Sequence, residues 1–408
     1  MLVLIATILL VLAVGTSQLF ARLFDVRFLI GLIVLDAVLL AWRLVAIVQA
    51  HVHRAGRERR SLATGATAVL VMLTLAMHAL PAYYAAKGID TIRTVALGGT
   101  HRAHHRNPFP VFSQQPDPST QPDVVAGERV NILLVGVDFL PSRATQLTDT
   151  MLVVSLDPNG TESAMISVPR DLYGVPLPDG RPYNNKLNSL MPYAAAHKKD
   201  FPLGGVGTLK ATIGDLLGVP IHYFAAINLL GFKQTVDAIG GVDINVLRAV
   251  RDPTSADEYV KVTGFYIKVG LQHMNGRTAL AFVRSRKGAG DSDFTRADRQ
   301  QQVLTAIRDK LTAGNLLLAL PGLLDAVKNT IATDVPSDRI AELAQAVQGA
   351  DMSQLQRIVL QPPDYMRADP HSSAGYVLIP NLEAIRAIGE QLLSGVAPSP
   401  SATPSALP

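Results

Sequence analysis

Apolar positions fall into two regimes along this chain. Residues 1–20 carry no charge, residues 28–48 are apolar apart from Asp36 and Arg43, and residues 62–86 are uncharged with a histidine at position 78. Each run approaches the ~20 residues that a helix needs to cross a bilayer, so the pattern predicts a membrane region over 1–86 with about three transmembrane helices. The first run lacks the basic start of a signal peptide, and a second apolar segment soon follows it. From residue 129 the apolar runs become short and are punctuated by Gly, Pro, Asn and Asp. Val130–Val137 (VNILLVGV) is continuous and rich in β-branched residues, which predicts a strand buried on both faces. Met151–Leu156 and Glu162–Val168 predict two more strands, joined by Asp157-Pro158-Asn159-Gly160, and Asn-Gly is a strong hairpin signal.

Phe224–Asn228, Val242–Val246 and Leu280–Val283 are later strand candidates. Helical spacing falls between and after them, over Gly205–Leu217, Leu230–Ile239, Thr295–Leu311, Ser337–Val347 and Asn381–Leu393. This alternation predicts an α/β domain over 129–395 with helices on both faces of one sheet. The hairpin makes that sheet mixed instead of purely parallel. Residues 87–128 are rich in Pro, Gly and His without periodicity and predict an extracytoplasmic linker. Its His101, His104 and His105 suggest a metal site, but a solvated tether is the favoured reading. The Pro/Ser-rich stretch 396–408 predicts a disordered tail.

Charge sets the topology. Arg54, Arg57, Arg59 and Arg60 crowd the loop HVHRAGRERR, which the positive-inside rule assigns to the cytoplasm. The N-terminus is then cytoplasmic and everything after Lys87 is outside. The absence of cysteine agrees with that only weakly. A formal net charge of +4 divided between loop and domain, with no helix-turn-helix or zinc pattern, argues against nucleic acid as a partner. Trp42 is read as an interfacial anchor and His273 as a turn residue.

The chemistry concentrates in VRSRKGAGDSDFTRADRQQQ. Arg284 and Arg286, two apart at an expected strand end, would share a face. Arg296, Arg299 and Gln300 would share a face of the following helix, which is expected to start near Thr295 with Asp298 in capping-box position. Arginines in a first turn oppose the helix dipole, and such local conflicts more often serve function than structure. Four guanidinium groups aimed at one place suit bidentate recognition of phosphate; the bland alternative is a solvated basic patch. Asp138 follows the first buried strand and Asp149 opens the second. If those strands are neighbours, the two carboxylates suit Mg²⁺ together with substrate phosphates and water, and Mn²⁺ accepts the same oxygens. Arg170 and Asp171 end the third expected strand, and Lys186 and Asn188 lie in an amide-rich loop.

Taken in order, NILLVGVD, TDTMLVVSLDP, SVPRD, NNKLN, INLLGFKQTVDAIGGVDI, LQHMNGRTALAFVRSRK and DFTRADRQQQVL resemble the LytR–CpsA–Psr family of cell-wall ligases, over roughly 130–395. The resemblance implies an α-β-α sandwich with an apolar groove for a polyprenyl chain. It implies a membrane-anchored extracytoplasmic phosphotransferase, moving a glycopolymer from an undecaprenyl or decaprenyl pyrophosphate carrier to peptidoglycan. By position it implies that Asp138 and Asp149 hold Mg²⁺ and that Arg170, Arg284, Arg286 and Arg296 surround the pyrophosphate. Lys186, Asn188, Asp293, Arg299 and Gln300 match residues near the same pocket. One departure is plain: the family usually has Arg two residues before the second Asp, and here Leu147 stands there, with Arg143 the nearest substitute. Most relatives also have a single span. The expected chemistry is in-line attack by a peptidoglycan hydroxyl, with Asp171, Asp293 or a metal-bound hydroxyl left open as the base. Rival readings are a polyprenyl pyrophosphate phosphatase and a lipid-pyrophosphate-binding sensor without turnover. Teichoic acid, arabinogalactan and capsule are all candidate polymers, and the Ala-rich composition leans towards arabinogalactan.

Overall fold

The computed structural model describes residues 25–54, 60–95, 128–138, 147–157, 163–257, 262–312, 331–336 and 339–394, with a few isolated positions besides. Two compact units result. In the first, the apolar runs form helices α1 (Val26–Arg54) and α2 (Arg60–Val95). Both are long and apolar enough to cross a membrane. The spans expected at 28–48 and 62–86 fall inside them, while the span expected at 1–20 lies outside the described residues, as do His101, His104, His105 and 396–408. Helix α2 runs on to Val95, so the start of the expected linker is helical. Polar side chains that lipid would penalise meet one another across the pair. His78 Nδ1 lies 2.7 Å from Asp36 Oδ1, and its Nε2 lies 3.5 Å from Arg43. Trp42 lies within α1 and is exposed.

The second unit is built on a mixed six-stranded sheet. In chain order its first strands are β1 (Val130–Asp138), β2 (Leu147–Leu156), β3 (Ala164–Ser167) and β4 (Tyr223–Asn228). With β9 (Ile331–Thr333) and β10 (Gln356–Val359), the spatial order is β10-β3-β2-β1-β4-β9. Strand β1 is antiparallel to β2 and parallel to β4, and β2 is antiparallel to β3. The expected hairpin is therefore present, although its Asn-Gly turn lies outside the described residues. Leu133, Val135 and Val137 are fully buried, whereas Leu134 and Gly136 between them are only half-buried. The continuous apolar run thus serves one packed face and one face that borders a cavity. Gly136 is needed there: a Cβ on it would come within 2.9 Å of the Thr150 side chain.

Helices α3 (Leu190–Ala196) and α4 (Gly204–Leu217) follow β3, and α5 (Leu229–Ala238) follows β4. Next come strands β5 (Val242–Val246), β6 (Val250–Asp257), β7 (Val262–Ile267) and β8 (Gly270–Met274), which pair outside the main sheet. The strand expected at Val242–Val246 therefore exists but joins a separate ribbon. Helices α6 (Gly276–Arg284) and α7 (Asp293–Thr312) come next, then α8 (Ile340–Gly349), strands β11 (Met366–Ser372) and β12 (Gly375–Pro380), and α9 (Leu382–Leu393).

One expectation fails outright. Leu280–Val283, read as a strand, is the end of α6. Asn275 caps that helix by accepting from Thr278 N at 2.9 Å, and Ala279, Leu280, Phe282 and Val283 are buried along it. A short apolar run of this kind does not distinguish the two states; the cap decides.

Candidate active site

The sheet sets the positions of two acidic residues. Asp138 at the end of β1 pairs with Leu147, so Asp149 lies two residues further along the neighbouring strand. Asp149 is inside β2 and does not open it, because the strand begins at Leu147. Just past β3, Arg170 brings Nη1 to 2.5 Å from Asp149 Oδ1, with Asp171 and Asp293 each 3.6 Å from other guanidinium nitrogens. Burial alone would lower the Arg170 pKa, but the three carboxylates outweigh it and the net shift is upward.

A returning loop braces this arginine from behind. Asn188 N donates to Arg170 O at 3.0 Å, and Thr148 Oγ1 donates to Asn188 O at 3.2 Å. Asn188 is therefore buried and contributes its backbone to the site's support. Lys186 Nζ reaches Asp171 at 2.9 Å and holds that carboxylate beside Arg170.

Helix α7 supplies the opposite wall. It starts at Asp293, earlier than expected, and its cap is Ser292 with Thr295. Thr295 N donates to Ser292 Oγ at 3.2 Å and Ser292 N donates to Thr295 Oγ1 at 2.9 Å. Asp298 takes no part; it accepts from Gln302 at 2.6 Å. Asp293 puts a negative charge in the first turn, which offsets the conflict of Arg296 with the dipole. Arg296 Nη2 lies 3.0 Å from Asp293 and donates to Asp149 O at 3.1 Å. Desolvation, with Arg170 and Arg286 nearby, pulls its pKa below the ordinary arginine value. Arginine remains charged even so.

Arg299 behaves differently from the phosphate-facing residue expected of it. Its guanidinium is spent on the protein: Nε donates to Phe282 O at 2.9 Å, Nη2 to Ser285 O, and Nη1 pairs with Asp291 at 2.7 Å. It fastens the end of α6 to α7. Gln300 reaches Val283 O at 3.3 Å and borders the cavity. Arg284 ends a helix and Arg286 follows in irregular chain, so the shared strand face expected for them does not exist. Both nevertheless line the cavity. A residue that sequence reasoning missed, buried Asp252 on β6, positions this segment by accepting from Ser285 Oγ (3.0 Å), Arg286 N (3.1 Å) and Lys287 N (3.2 Å). The half-exposed Tyr376 has its pKa raised by burial and by the charges of Asp171 and Asp293. Arg143 lies outside the described residues.

These elements enclose a cavity of about 570 Å³. Leu134, Ala225, Ile227, Phe232, Leu304 and Ile307 are among its apolar walls, and Asp149, Arg170, Arg284, Arg286 and Arg296 are its charged lining. Leu147 also lines it, so an apolar side chain borders the space where an arginine was expected. Among the described residues no cluster of three or more His, Asp or Glu is gathered for a metal. Mg²⁺ bound alongside phosphates needs only one or two carboxylates. The Asp138 and Asp149 positions on paired strands supply that number, and the Arg170 ion pair uses Oδ1 of Asp149. By residue type and strand position, this pair suits the oxygen donors such an ion takes.

The LytR_cpsA_psr family model matches residues 98–386. This chain belongs to that family. Two relatives named polyisoprenyl-teichoic acid–peptidoglycan teichoic acid transferase TagU, from Bacillus mycoides and Oceanobacillus iheyensis, are 31% and 30% identical. Their alignments cover 53% and 59% of this chain. They span 64% of the first relative and 70% of the second, so the chain covers just under two thirds of the first. The solved structure of Bacillus subtilis TagV superposes with a TM-score of 0.50 at 26% identity, over 66% of this chain and 98% of that one. Every candidate site residue from Asp138 to Gln300 lies within the stretch matched to the family.

Proposed function

We propose that this protein is an extracytoplasmic phosphotransferase. It would move a glycopolymer from an undecaprenyl or decaprenyl pyrophosphate carrier to a sugar hydroxyl of peptidoglycan, leaving a phosphodiester. The observation that carries this reading is the junction of an apolar cavity with Arg170, Arg284, Arg286 and Arg296. A prenyl tail joined to a pyrophosphate has that same succession of apolar body and concentrated negative charge. The names of the TagU relatives support the substrate class and favour a teichoic acid-like polymer over arabinogalactan.

In the proposed reaction the acceptor oxygen bonds to the phosphorus nearest the glycopolymer. The bridging P–O bond breaks, and polyprenyl phosphate departs with the electron pair. Arg170 and Arg296, fixed by Asp149 and Asp293, hold the pyrophosphate oxygens and neutralise the charge that gathers as the bridge breaks. After Asp149, the next carboxylates to Arg170 are Asp171 and Asp293, which would receive the hydroxyl proton, and Lys186 restrains the first of them. Mg²⁺, or Mn²⁺, held by Asp138 and Asp149 would supply further neutralisation of the phosphates when bound. The basic loop before α2 favours a cytoplasmic position for that loop, which leaves the globular unit outside with carrier and wall.

The test uses full-length protein in proteoliposomes with lipid-linked glycan and peptidoglycan. Transfer predicts a glycan–peptidoglycan conjugate together with polyprenyl phosphate. Free phosphate-terminated glycan without conjugate would replace this reading with a phosphatase. Binding without any product would replace it with a sensor.

A further inference from the structure

Strands β5 and β8 form one two-stranded ribbon and β6 and β7 form another, joined by irregular chain at 247–249 and 268–269. Val242 pairs with Met274, Val246 with Gly270, Val250 with Ile267 and Asp252 with Phe265. Residues directly opposite one another share a face, and the faces alternate along each strand. One face is a core wall, where Val242, Ile244, Val246, Val250, Ile267 and Met274 are buried with Leu280 and Val283. Leu280 and Val283 also border the cavity.

The other face of such a ribbon ordinarily carries polar side chains. Here its middle is apolar. Leu247 and Leu271, 77% and 74% exposed, are the most exposed large hydrophobic residues among those described, and Tyr266 (67%) and Val269 (57%) stand beside them. Leu271 is opposite Asn245, Tyr266 is opposite Arg251, and Leu247 and Val269 both adjoin the Val246–Gly270 pair. Exposed Arg251 and Lys268 are interleaved with them, while Arg248 is engaged elsewhere, donating to Gly290 O at 2.7 Å with Asp291 at 3.5 Å. The acidic residue further along this face, Asp243, is already engaged by His273 at 2.8 Å and Lys310 at 3.3 Å.

We infer that this outer face is a docking surface for an anionic lipid bilayer. Leu247, Val269, Leu271 and Tyr266 enter the headgroup region, and Arg251 and Lys268 meet lipid phosphates. Three observations favour a bilayer over a protein. Aliphatic side chains with a tyrosine and flanking cations match the composition of a membrane interface. The same chain carries two helices long and apolar enough to cross a membrane. Four side chains on a pair of ribbons also fall well short of the roughly 20–30 residues a side that a stable protein interface uses. Docking has a consequence for the site. The ribbons' inner face backs the cavity, and Asp252 of β6 holds the Ser285–Lys287 segment, so lipid contact on one face bears on the segment carrying Arg286 on the other. The inference rests on the membrane reading of α1 and α2 and does not depend on the reaction proposed above.

The chain has no cysteine, so single labels are clean. A nitroxide would be attached to full-length protein carrying Leu271→Cys, with Lys198→Cys as an exposed control. Each would be placed one copy per nanodisc, in zwitterionic lipid or with added phosphatidylglycerol. Collisions with oxygen and with a water-soluble nickel chelate report the surroundings. The Leu271→Cys label should be oxygen-accessible and chelate-shielded in anionic discs, while the control stays chelate-exposed. Arg251→Gln and Lys268→Gln should each lower the docked-to-free ratio about fivefold. Chelate exposure equal to the control in anionic discs would overturn the inference. Shielding that appears only with two copies per disc would assign the face to a second copy of the chain and overturn it equally.

Discussion

Arg170 Nη1 stands 2.5 Å from Asp149 Oδ1, joining the loop after β3 to the strand beside it. The pair is partly open to the cavity, so it is positioned for a ligand as well as for stability. Asp149→Asn keeps the size of the side chain but removes its charge, leaving Arg170 to be held by Asp171 and Asp293. Transfer in proteoliposomes should fall ~10²–10³-fold. Arg170→Lys should fail to restore it, because a single ammonium lacks the planar fork. Near-normal rates in both variants would remove this pair from the active site.

Arg299 separates support from contact. It is 6% exposed, and its partners are backbone carbonyls and Asp291. Arg299→Ala should therefore lower stability by about 3–5 kcal/mol, the usual cost of breaking a buried pair. Arg286→Ala should leave the urea midpoint nearly unchanged and abolish most transfer. Equal stability losses in the two would contradict this division of roles.

The cavity predicts selectivity for chain length. Ala225 sits on its sheet wall, and Ala225→Phe would fill part of the space. With a long-chain prenyl substrate the apparent KM should rise about tenfold or more, on the basis of a few displaced methylenes. A short-chain analogue should be nearly unaffected. A uniform effect on both would argue that the tail lies elsewhere.

A pH dependence follows from His222. Its Nδ1 accepts from Asn131 N at 2.9 Å, and burial, reinforced by Lys210, holds its pKa below the ordinary 6.5. Between that lowered value and 6.5 the unfolded chain binds a proton that the folded chain refuses, so stability falls as pH drops through this window. Denaturation midpoints measured from pH 8 downward should decline below about 6.5. His222→Gln should flatten that decline, and an unchanged slope would show that another group is responsible.

Much of the architecture was legible in residue order alone. Unbroken apolar runs must become membrane-length or buried elements, so α1, α2, β1 and β2 could be read directly, and separated blocks such as NILLVGVD and RADRQQQ carried the family. Local pattern also brought Asp149, Arg170, Arg284, Arg286 and Arg296 onto one list. Whether Leu280–Val283 formed a helix or a strand depended on a cap hydrogen bond at Asn275, which a four-residue apolar run does not encode. Arg296 and Arg299 look equivalent at spacing i, i+3, yet one turns to Asp149 and Asp293 while the other is consumed by carbonyls of α6. Their division, and the role of Asp252, come from partners distant in the chain that meet only when the helices and ribbon pack. Spacing along a chain determines which face a side chain leaves, and only tertiary packing decides what it finds there.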